Sequence, residues 1–338
     1  MTRAYDNAVD ARYPSGRRNL IINGAMQVAQ RSTSETGNTA NGYLTLDRYR
    51  LNASGGTFNS SQQSLTVGQT DLPSPFKYFL RFDVTTANDN MGVQQRIEDV
   101  TVVNGEKVTF SFYAKGTNPA GGHLDVRLQQ DFGSGGSSLV DATPESLTLT
   151  SSWQRFTYVF DVPSISGKTV GTGSHLNFAI RQPDDDDTTT AWTLDTTGWQ
   201  VELGNVATPF EHRSFGEEME LCKRYYQKSF DYDVVPAFDA SRGQVGISMA
   251  YNSATATGGA IELGVEMRTA PTVTYYSRNV STGNYWAMYK NTTWTVTATG
   301  DNGSRSKRIQ FYVQPSGGGM TAQYVYELSG NWTAEAEL

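Results

Sequence analysis

The sequence predicts an all-β protein, on three observations. Charged residues make up only 18% of the 338 residues, whereas 12% are aromatic and 33 residues are glycine. This composition is typical of β-sandwiches with many turns. Short segments of alternating apolar and polar residues recur along most of the chain, and only one segment shows helical spacing. Because one hydrophobic core seldom serves a chain of this length, two domains are expected.

Alternating segments fill residues 19–213, which we predict to form the first domain. In residues 76–84, aromatic and aliphatic side chains occupy every second position, so they would share one face of a strand. No helical crossover interrupts the series, so we expect two antiparallel sheets packed face to face as a jelly roll. Similar alternation occurs in residues 108–114, 124–128, 153–160 and 199–203.

One short helix is predicted between the domains, over residues 214–227. Ser214 and Glu217 have the spacing of a capping box, in which each side chain bonds to the backbone of the other residue. Acidic residues precede basic ones along the segment, which suits the helix dipole. An apolar stripe at helical spacing would pack on a sheet edge or at the domain junction. Its members are Phe215, Met219, Cys222 and Tyr226.

A second run of strand patterns covers residues 228–338, which we predict to form a smaller C-terminal β-sandwich. Short strand candidates are separated there by turn clusters at 257–259, 300–304 and 315–319. Residues 1–18 carry charged and small polar side chains without periodicity. We interpret them as an N-terminal arm or linker, which either docks on a partner or is disordered.

Charge and composition argue against several classes of function. The 27 Lys and Arg and the 34 Asp and Glu give a net charge of −7, so nucleic acid is not an expected partner. No stretch reaches the roughly 18 apolar residues of a membrane span, so membrane insertion is not expected. Residues 1–16 lack the apolar core of a secretory signal, and Cys222 is the single cysteine. We therefore expect folding in a reducing cytoplasm, without disulfides.

The sequence contains no recognisable catalytic or metal-binding constellation. His123, His175 and His212 are far apart, and none has the spacing of a zinc site. Cys222 lies in the apolar stripe, where a buried structural thiol is expected rather than a nucleophile. None of the acidic residues has a context that marks a glycosidase pair. We predict a protein that is not an enzyme, with no catalytic residue and no cofactor.

The four consecutive aspartates at 184–187 leave two interpretations open. They lie between Pro183 and three threonines, as a solvated loop would. Adjacent carboxylates also suit Ca²⁺, but the run lacks the alternating spacing and the glycine of a dedicated calcium loop. No metal site is predicted on this pattern.

Aromatic residues are the better candidates for ligand binding, because sugar rings stack on aromatic faces. Trp153 and Trp199 alternate with core residues, so we expect them in the core. Trp192 lies nearer a loop and is a candidate. Residues 283–294 have the pattern of a hairpin with aromatics on both faces. The candidates there are Tyr285, Trp286 and Tyr289: if the two tyrosines face the core, Trp286 faces outward, as a ligand contact or in a subunit interface.

Several motifs, in order along the chain, resemble a family of bacteriophage tail-fibre and virion structural proteins. Residues 18–31 read RNLIINGAMQVAQR, and residues 47–49 are the triplet DRY. Residues 74–81 contain SPFKY followed by LR, and residues 267–273 read MRTAPTV. The longest matching segment lies within residues 198–226, where GWQVELGNVATPFE precedes LCKRYY. The resemblance covers most of residues 18–338.

The resemblance implies a fold and a set of partners. Such proteins often carry a jelly roll similar to carbohydrate-binding modules. The implied role is a fibre or spike component of the virion, assembled in the cytoplasm of the host bacterium. It would attach to other virion proteins through the N-terminal arm, form a homotrimer and bind a host-surface glycan or other receptor. The alternatives are a purely structural tail adaptor, a capsid decoration or head-fibre protein and, less in keeping with the absence of short β-helix repeats, a glycan depolymerase.

Overall fold

The computed structural model divides the chain into two compact units. The first ends at Glu218 and the second begins at Met219; Leu338 groups with the first unit. Of the predicted arm, residues 1–18, only Arg17 and Arg18 lie within the described residues. The structure describes residues 17–66, 68–72, 76–120, 122–184, 190–238, 244–250, 252, 256–277, 284–290, 293–301, 303–315 and 320–338.

The first unit is a sandwich of two antiparallel sheets, as predicted. The first sheet has the strand order β1-β3-β4-β12-β6-β10, and the second has the order β2-β5-β11-β7-β8, with β9 also paired to β7. The strand bounds are β1 Ser34–Asn38, β2 Arg50–Asn52, β3 Thr57–Ser64, β4 Tyr78–Thr86, β5 Gly92–Ile97, β6 Lys107–Gly116, β7 Leu124–Asp131, β8 Val140–Asp141, β9 Glu145–Leu147, β10 Gln154–Asp161, β11 His175–Arg181 and β12 Trp192–Leu203.

The core of the first unit lies between its two sheets. Phe110 of the first sheet and Phe178 of the second are fully buried, with ring centroids 5.4 Å apart. Trp199 contacts Phe110 edge-on at 5.1 Å, which confirms its predicted core position. Trp153 does not share that position. It immediately precedes β10 and belongs to a separate small cluster, edge-on to Phe79.

The predicted helix is present but shorter than expected. Helix α1 spans Phe215–Lys223 and begins with the predicted capping box. The Ser214 backbone amide donates to Glu217 Oε2 at 2.8 Å, and the Glu217 amide donates to Ser214 Oγ at 3.3 Å. The helix ends early because Tyr226 enters a strand, where it pairs with Glu335. No helix in the described part of the chain has the length and apolar character needed to cross a membrane.

The second unit consists of one sheet of eight strands in its described residues. We expected a smaller sandwich; instead, the long strand β20 pairs with β14 and β13 and also with β17 and β16, so the sheet closes on itself. The core inside it includes Trp286, Met288 and Phe311. The strand bounds are β13 Tyr226–Lys228, β14 Gln244–Ala250, β15 Ala256–Glu262, β16 Thr272–Ser277, β17 Tyr285–Lys290, β18 Thr293–Asp301, β19 Arg308–Pro315 and β20 Val325–Glu335.

Candidate functional site

The structure does not bring the four candidate aromatics together. Trp192 lies in the core of the first unit, where it is 1% exposed and its Nε1 donates to Gln182 Oε1 at 3.0 Å. The other three residues lie on β17 in the second unit. A tryptophan buried to this extent presents no ring face on which a sugar could stack.

The expected faces of β17 are reversed. Trp286 is 1% exposed and shares the buried face with Met288, because residues two apart in a strand lie on the same side. Its ring contacts Phe311 at 4.7 Å, and its Nε1 donates to the Asn331 carbonyl oxygen at 2.9 Å. Tyr289 is instead 42% exposed, and Tyr285 is half-buried. Trp286 is therefore a core residue, and Tyr289 is the outward aromatic.

The strongest cluster of polar groups lies elsewhere, on the outer side of the second sheet of the first unit. In β11, Leu176, Phe178 and Ile180 enter the core, so the residues between them lie on the other side. The same alternation in β2, β5 and β7 extends this polar face across four strands. The polar face comprises Arg50, Gln94, Arg96, Asp125, Arg127, Gln129, Asp131, His175, Asn177 and Arg181.

A row of amide side chains forms the centre of the polar face. Asn177 is 5% exposed, and its Nδ2 donates to Gln94 Oε1 at 3.1 Å and to Gln129 Oε1 at 2.9 Å. Within the described residues, neither glutamine Nε2 donates to a protein acceptor, and Asn177 Oδ1 is buried without a partner. Both glutamines are partly exposed, so their amide groups are held in place and can donate outward.

One end of the polar face is balanced in charge. Arg127 contacts Asp125 at 2.8 Å and Asp184 at 2.7 Å, and Arg181 contacts Asp184 at 3.0 Å. Asp184 is the first of the four consecutive aspartates, and its carboxylate is therefore engaged by two arginines. The other three, at 185–187, lie outside the described residues, so the structure bears on the calcium interpretation only at Asp184. Among the residues that the structure describes, no group of three or more His, Cys, Asp or Glu could hold a metal ion.

The other end of the polar face carries Arg50 and Arg96, which differ in their partners. The Arg50 side chain is half-buried and makes no hydrogen bond or ion pair with any described residue. Arg96 Nη1 donates to a backbone oxygen of Leu338, the last residue of the sequence, which also accepts from the Tyr43 hydroxyl at 3.2 Å. Burial lowers the pKa of Arg50, and the nearby charge of Arg96 lowers it further. The pKa of His175 is also lowered, first by burial and then by Arg96 among its neighbours. Asp131 lies opposite His175 on β7, with its Oδ2 3.8 Å from His175 Nε2, so this end also contains a carboxylate.

Sequence reasoning missed the polar face. Its signal was present, because polar residues occupy alternate positions in residues 124–131 and, apart from Ala179, in residues 175–181. That pattern equally describes a strand with one solvated side. Burial separates the two cases: Arg127 is only 8% exposed although it lies on the outer side of a sheet.

Comparisons with known proteins give structural neighbours only. No family model and no curated protein matches the chain. The chain is similar to a xylan-binding domain from Paenibacillus barcinonensis, with 15% identity and a TM-score of 0.30, over 53% of this chain and 98% of that one. It is similar to the family 11 carbohydrate-binding module of Clostridium thermocellum, with 13% identity and a TM-score of 0.28, over 53% and 99% of the two chains.

A third solved structure is the enzymatically active domain of tailspike protein 4 from bacteriophage CBA120. Its identity to this chain is 14% and its TM-score is 0.31, over 55% of this chain and 21% of that one. At identities this low, the function has to be judged from this chain's own residues. Those residues define an all-β protein with a jelly-roll sandwich and a polar outer face.

Proposed function

We propose that the first unit is a non-catalytic module that binds a glycan on the polar face. The observation that carries this proposal is the amide row, in which Asn177 holds Gln94 and Gln129 by hydrogen bonds of 3.1 and 2.9 Å. Sugar hydroxyls both donate and accept hydrogen bonds, and side-chain amides match them because each has an acceptor oxygen and two donor hydrogens. Amides that are already positioned lose little conformational entropy when they bind.

A glutamine substitution tests this site against a matched control. Gln129→Ala removes one outward amide, and Gln154→Ala removes an exposed glutamine from β10 in the other sheet. On an array of bacterial surface oligosaccharides, we expect Gln129→Ala to weaken the binding seen for the wild type about threefold to tenfold, which is the value of one hydrogen bond. Gln154→Ala should bind as the wild type does. If Gln129→Ala binds as tightly as Gln154→Ala, the polar face is not the glycan site.

We further propose that the chain is a fibre or spike component of a phage particle. The series of motifs that resemble phage fibre proteins supports this proposal, and two of them, within residues 18–31 and 198–211, contact each other in the first unit. Asn19 Nδ2 donates to the Trp199 carbonyl oxygen at 3.0 Å, and the Trp199 amide donates to the Gly24 carbonyl oxygen at 3.0 Å. Asn23 Nδ2 donates to the Asp47 carbonyl oxygen at 3.0 Å. These bonds join residues 19–24 to β12 and to Asp47.

The position of the chain in the particle tests the virion proposal. Immunogold labelling of purified phage particles should place it at a tail tip if it binds a receptor. Labelling at a capsid vertex or an internal tail joint would favour a structural role, and its absence from particles would refute the proposal. A homotrimer is expected in either case, and a sedimentation mass of one chain would contradict it.

A specific observation favours the structural alternative for the second unit. Tyr289, Tyr324 and Val325 are 42%, 64% and 60% exposed. Tyr289 lies opposite Glu327, two residues from Val325 on β20, so these side chains are neighbours on one face, and a contiguous exposed apolar patch is typical of a surface that another chain covers. As an adaptor or decoration protein, the chain would bury these residues against a virion partner or another copy of itself.

A further inference from the structure

A half-exposed tryptophan lies on the outer side of the first sheet, on the side of the sandwich away from the polar face. We propose that Trp153 is the centre of a second glycan site, where a sugar ring stacks on the indole and its hydroxyl oxygens accept hydrogen bonds from Lys115 and Arg81. This site does not require the polar face, because the two belong to different sheets. It goes beyond the proposed function by adding a second contact with the same class of ligand.

The Trp153 ring extends across the outer side of the sheet. Trp153 immediately precedes β10, whereas Phe79 lies on β4 between Leu80 and Tyr78. Because Leu80 faces the core, Phe79 faces outward. Strands β12 and β6 separate β4 from β10, yet the two rings meet edge-on with centroids 5.4 Å apart. The indole therefore lies over the intervening strands, with Phe79 holding one of its edges.

Trp153 is unlike the other tryptophans of the first unit. Trp192 and Trp199 are at most 1% exposed, whereas Trp153 is half-buried. Trp153 Nε1 donates to no acceptor among the described residues. The indole is thus held in place and still partly open to solvent, as a surface for stacking has to be.

Donor groups lie beside the indole. Lys115 of β6 and Arg81 of β4 are both opposite Asp195 of β12. The Lys115 ammonium lies 5.1 Å from the centroid of the Trp153 ring and makes no hydrogen bond or ion pair with a described residue. Arg81 Nε and Nη2 each donate to Asp195 at 2.8 Å, and no described acceptor takes a hydrogen from Nη1. Because 43% of the Arg81 side chain is exposed, Nη1 and the ammonium can donate to a ligand.

The chemistry of this surface fits a sugar rather than an apolar partner. An aromatic face attracts positive charge, and the Lys115 ammonium already lies over that of Trp153. The weakly positive C–H groups on one face of a sugar ring are attracted in the same way. Along β10, the next apolar side chain on this face is Val159, about 20 Å from Trp153. A single ring among donors is not the contiguous apolar patch of a protein interface.

A tryptophan substitution tests the site against its neighbour in sequence. On the array of bacterial surface oligosaccharides, Trp153→Ala should weaken the binding seen for the wild type about threefold to tenfold, which is the value of one aromatic contact. Gln154→Ala is the matched control, because Gln154 lies opposite the core residue Ala114 and is therefore on the other side of the sheet. Binding by Trp153→Ala as tight as by Gln154→Ala would overturn the inference.

A lysine substitution separates ligand binding from any folding defect. Lys115→Met removes the ammonium and keeps an unbranched chain beside the indole. It should leave the thermal midpoint unchanged, because the ammonium has no protein partner to lose, and weaken binding about threefold. Lys107→Met removes the same charge from an exposed ion pair with Asp161 at the other end of β6 and should leave binding unaltered. Equal losses in the two variants would assign the effect to net charge and refute the site.

Fluorescence reports whether the ligand covers the ring. Trp153 and Trp294 are half-buried, whereas the other four tryptophans are at most 6% exposed. In a Trp294→Phe variant, acrylamide should therefore quench mainly Trp153, and a saturating amount of the tightest-binding oligosaccharide of the array should reduce that quenching. Unchanged quenching would contradict stacking on Trp153. Quenching that falls as the protein concentration rises, without sugar, would show that another copy of the chain covers the ring instead.

The two proposed glycan sites can fail separately. Loss of binding in Gln129→Ala but not in Trp153→Ala would retain the polar face and refute the Trp153 site. The reverse result would retain the Trp153 site and refute the polar face. If no oligosaccharide binds the wild type, both proposals fail together.

Discussion

Replacing Trp286 by alanine should strongly destabilise the second unit. The indole is 1% exposed and contacts Phe311, with centroids 4.7 Å apart, and Tyr275, at 5.8 Å. It also lies against Gly330, where the Cβ of any other residue would come within 2.1 Å of the ring, so only glycine leaves room for it. Removing a buried aromatic side chain costs about 3–5 kcal/mol. Losing the donor to the Asn331 carbonyl oxygen is included in that range.

The matched control for this experiment lies on the same strand. Tyr289→Ala removes an aromatic side chain of which 42% is exposed, so we expect a loss of about 1 kcal/mol or less. Chemical denaturation followed by circular dichroism should show two transitions if the units unfold separately, and the one assigned to the second unit should shift. The transition that belongs to the second unit is the one whose midpoint shifts in Trp286→Phe, a substitution that perturbs the same core more gently.

The relative destabilisation by the two substitutions tests which face of β17 is buried. If Tyr289→Ala lowered the free energy of unfolding more than Trp286→Ala, the faces of β17 would be opposite to those described. A Trp286→Ala variant with an unchanged midpoint and weakened host adsorption would instead restore the sequence-based expectation of an outward tryptophan.

Two further predictions concern the first unit and the helix. Ser214→Ala removes the hydroxyl that accepts from the Glu217 amide, and it should lower the free energy of unfolding by about 1 kcal/mol, measured by denaturation. Ser214→Asp should retain most of that stability. An unchanged free energy of unfolding in Ser214→Ala would show that the cap contributes nothing. Burial, and then the charge of Arg96, lowers the pKa of His175 below 6.5 in the folded chain. The unfolded chain therefore binds more protons than the folded chain as pH falls through that range, so the stability should decline on acidification. His175→Gln should reduce this decline in thermal midpoint between about pH 7.5 and 5, and an identical decline in both proteins would contradict the assignment.

Local patterns predicted those parts of the fold that depend on neighbours in sequence. Alternation placed Leu80 and Phe82 on one buried face, and the Ser214 capping box marked where the helix begins. The end of the helix was predicted wrongly because Tyr226 pairs with Glu335, which is distant in sequence. The face of Trp286 was reversed for a similar reason, since its position is set by Gly330 on β20.

The polar face shows why the candidate site required the structure. Its residues come from four strands, Arg50–Asn52, Gly92–Ile97, Leu124–Asp131 and His175–Arg181, which adjoin only after β5 and β7 have paired with opposite edges of β11. Within each strand, the outward residues look like an ordinary solvated side. Their functional meaning arises between strands, where Asn177 holds two glutamines from different neighbouring strands. A single-residue change on this face, such as Gln129→Ala, therefore tests a property of the assembled sheet, and Gln154→Ala in the other sheet is its control.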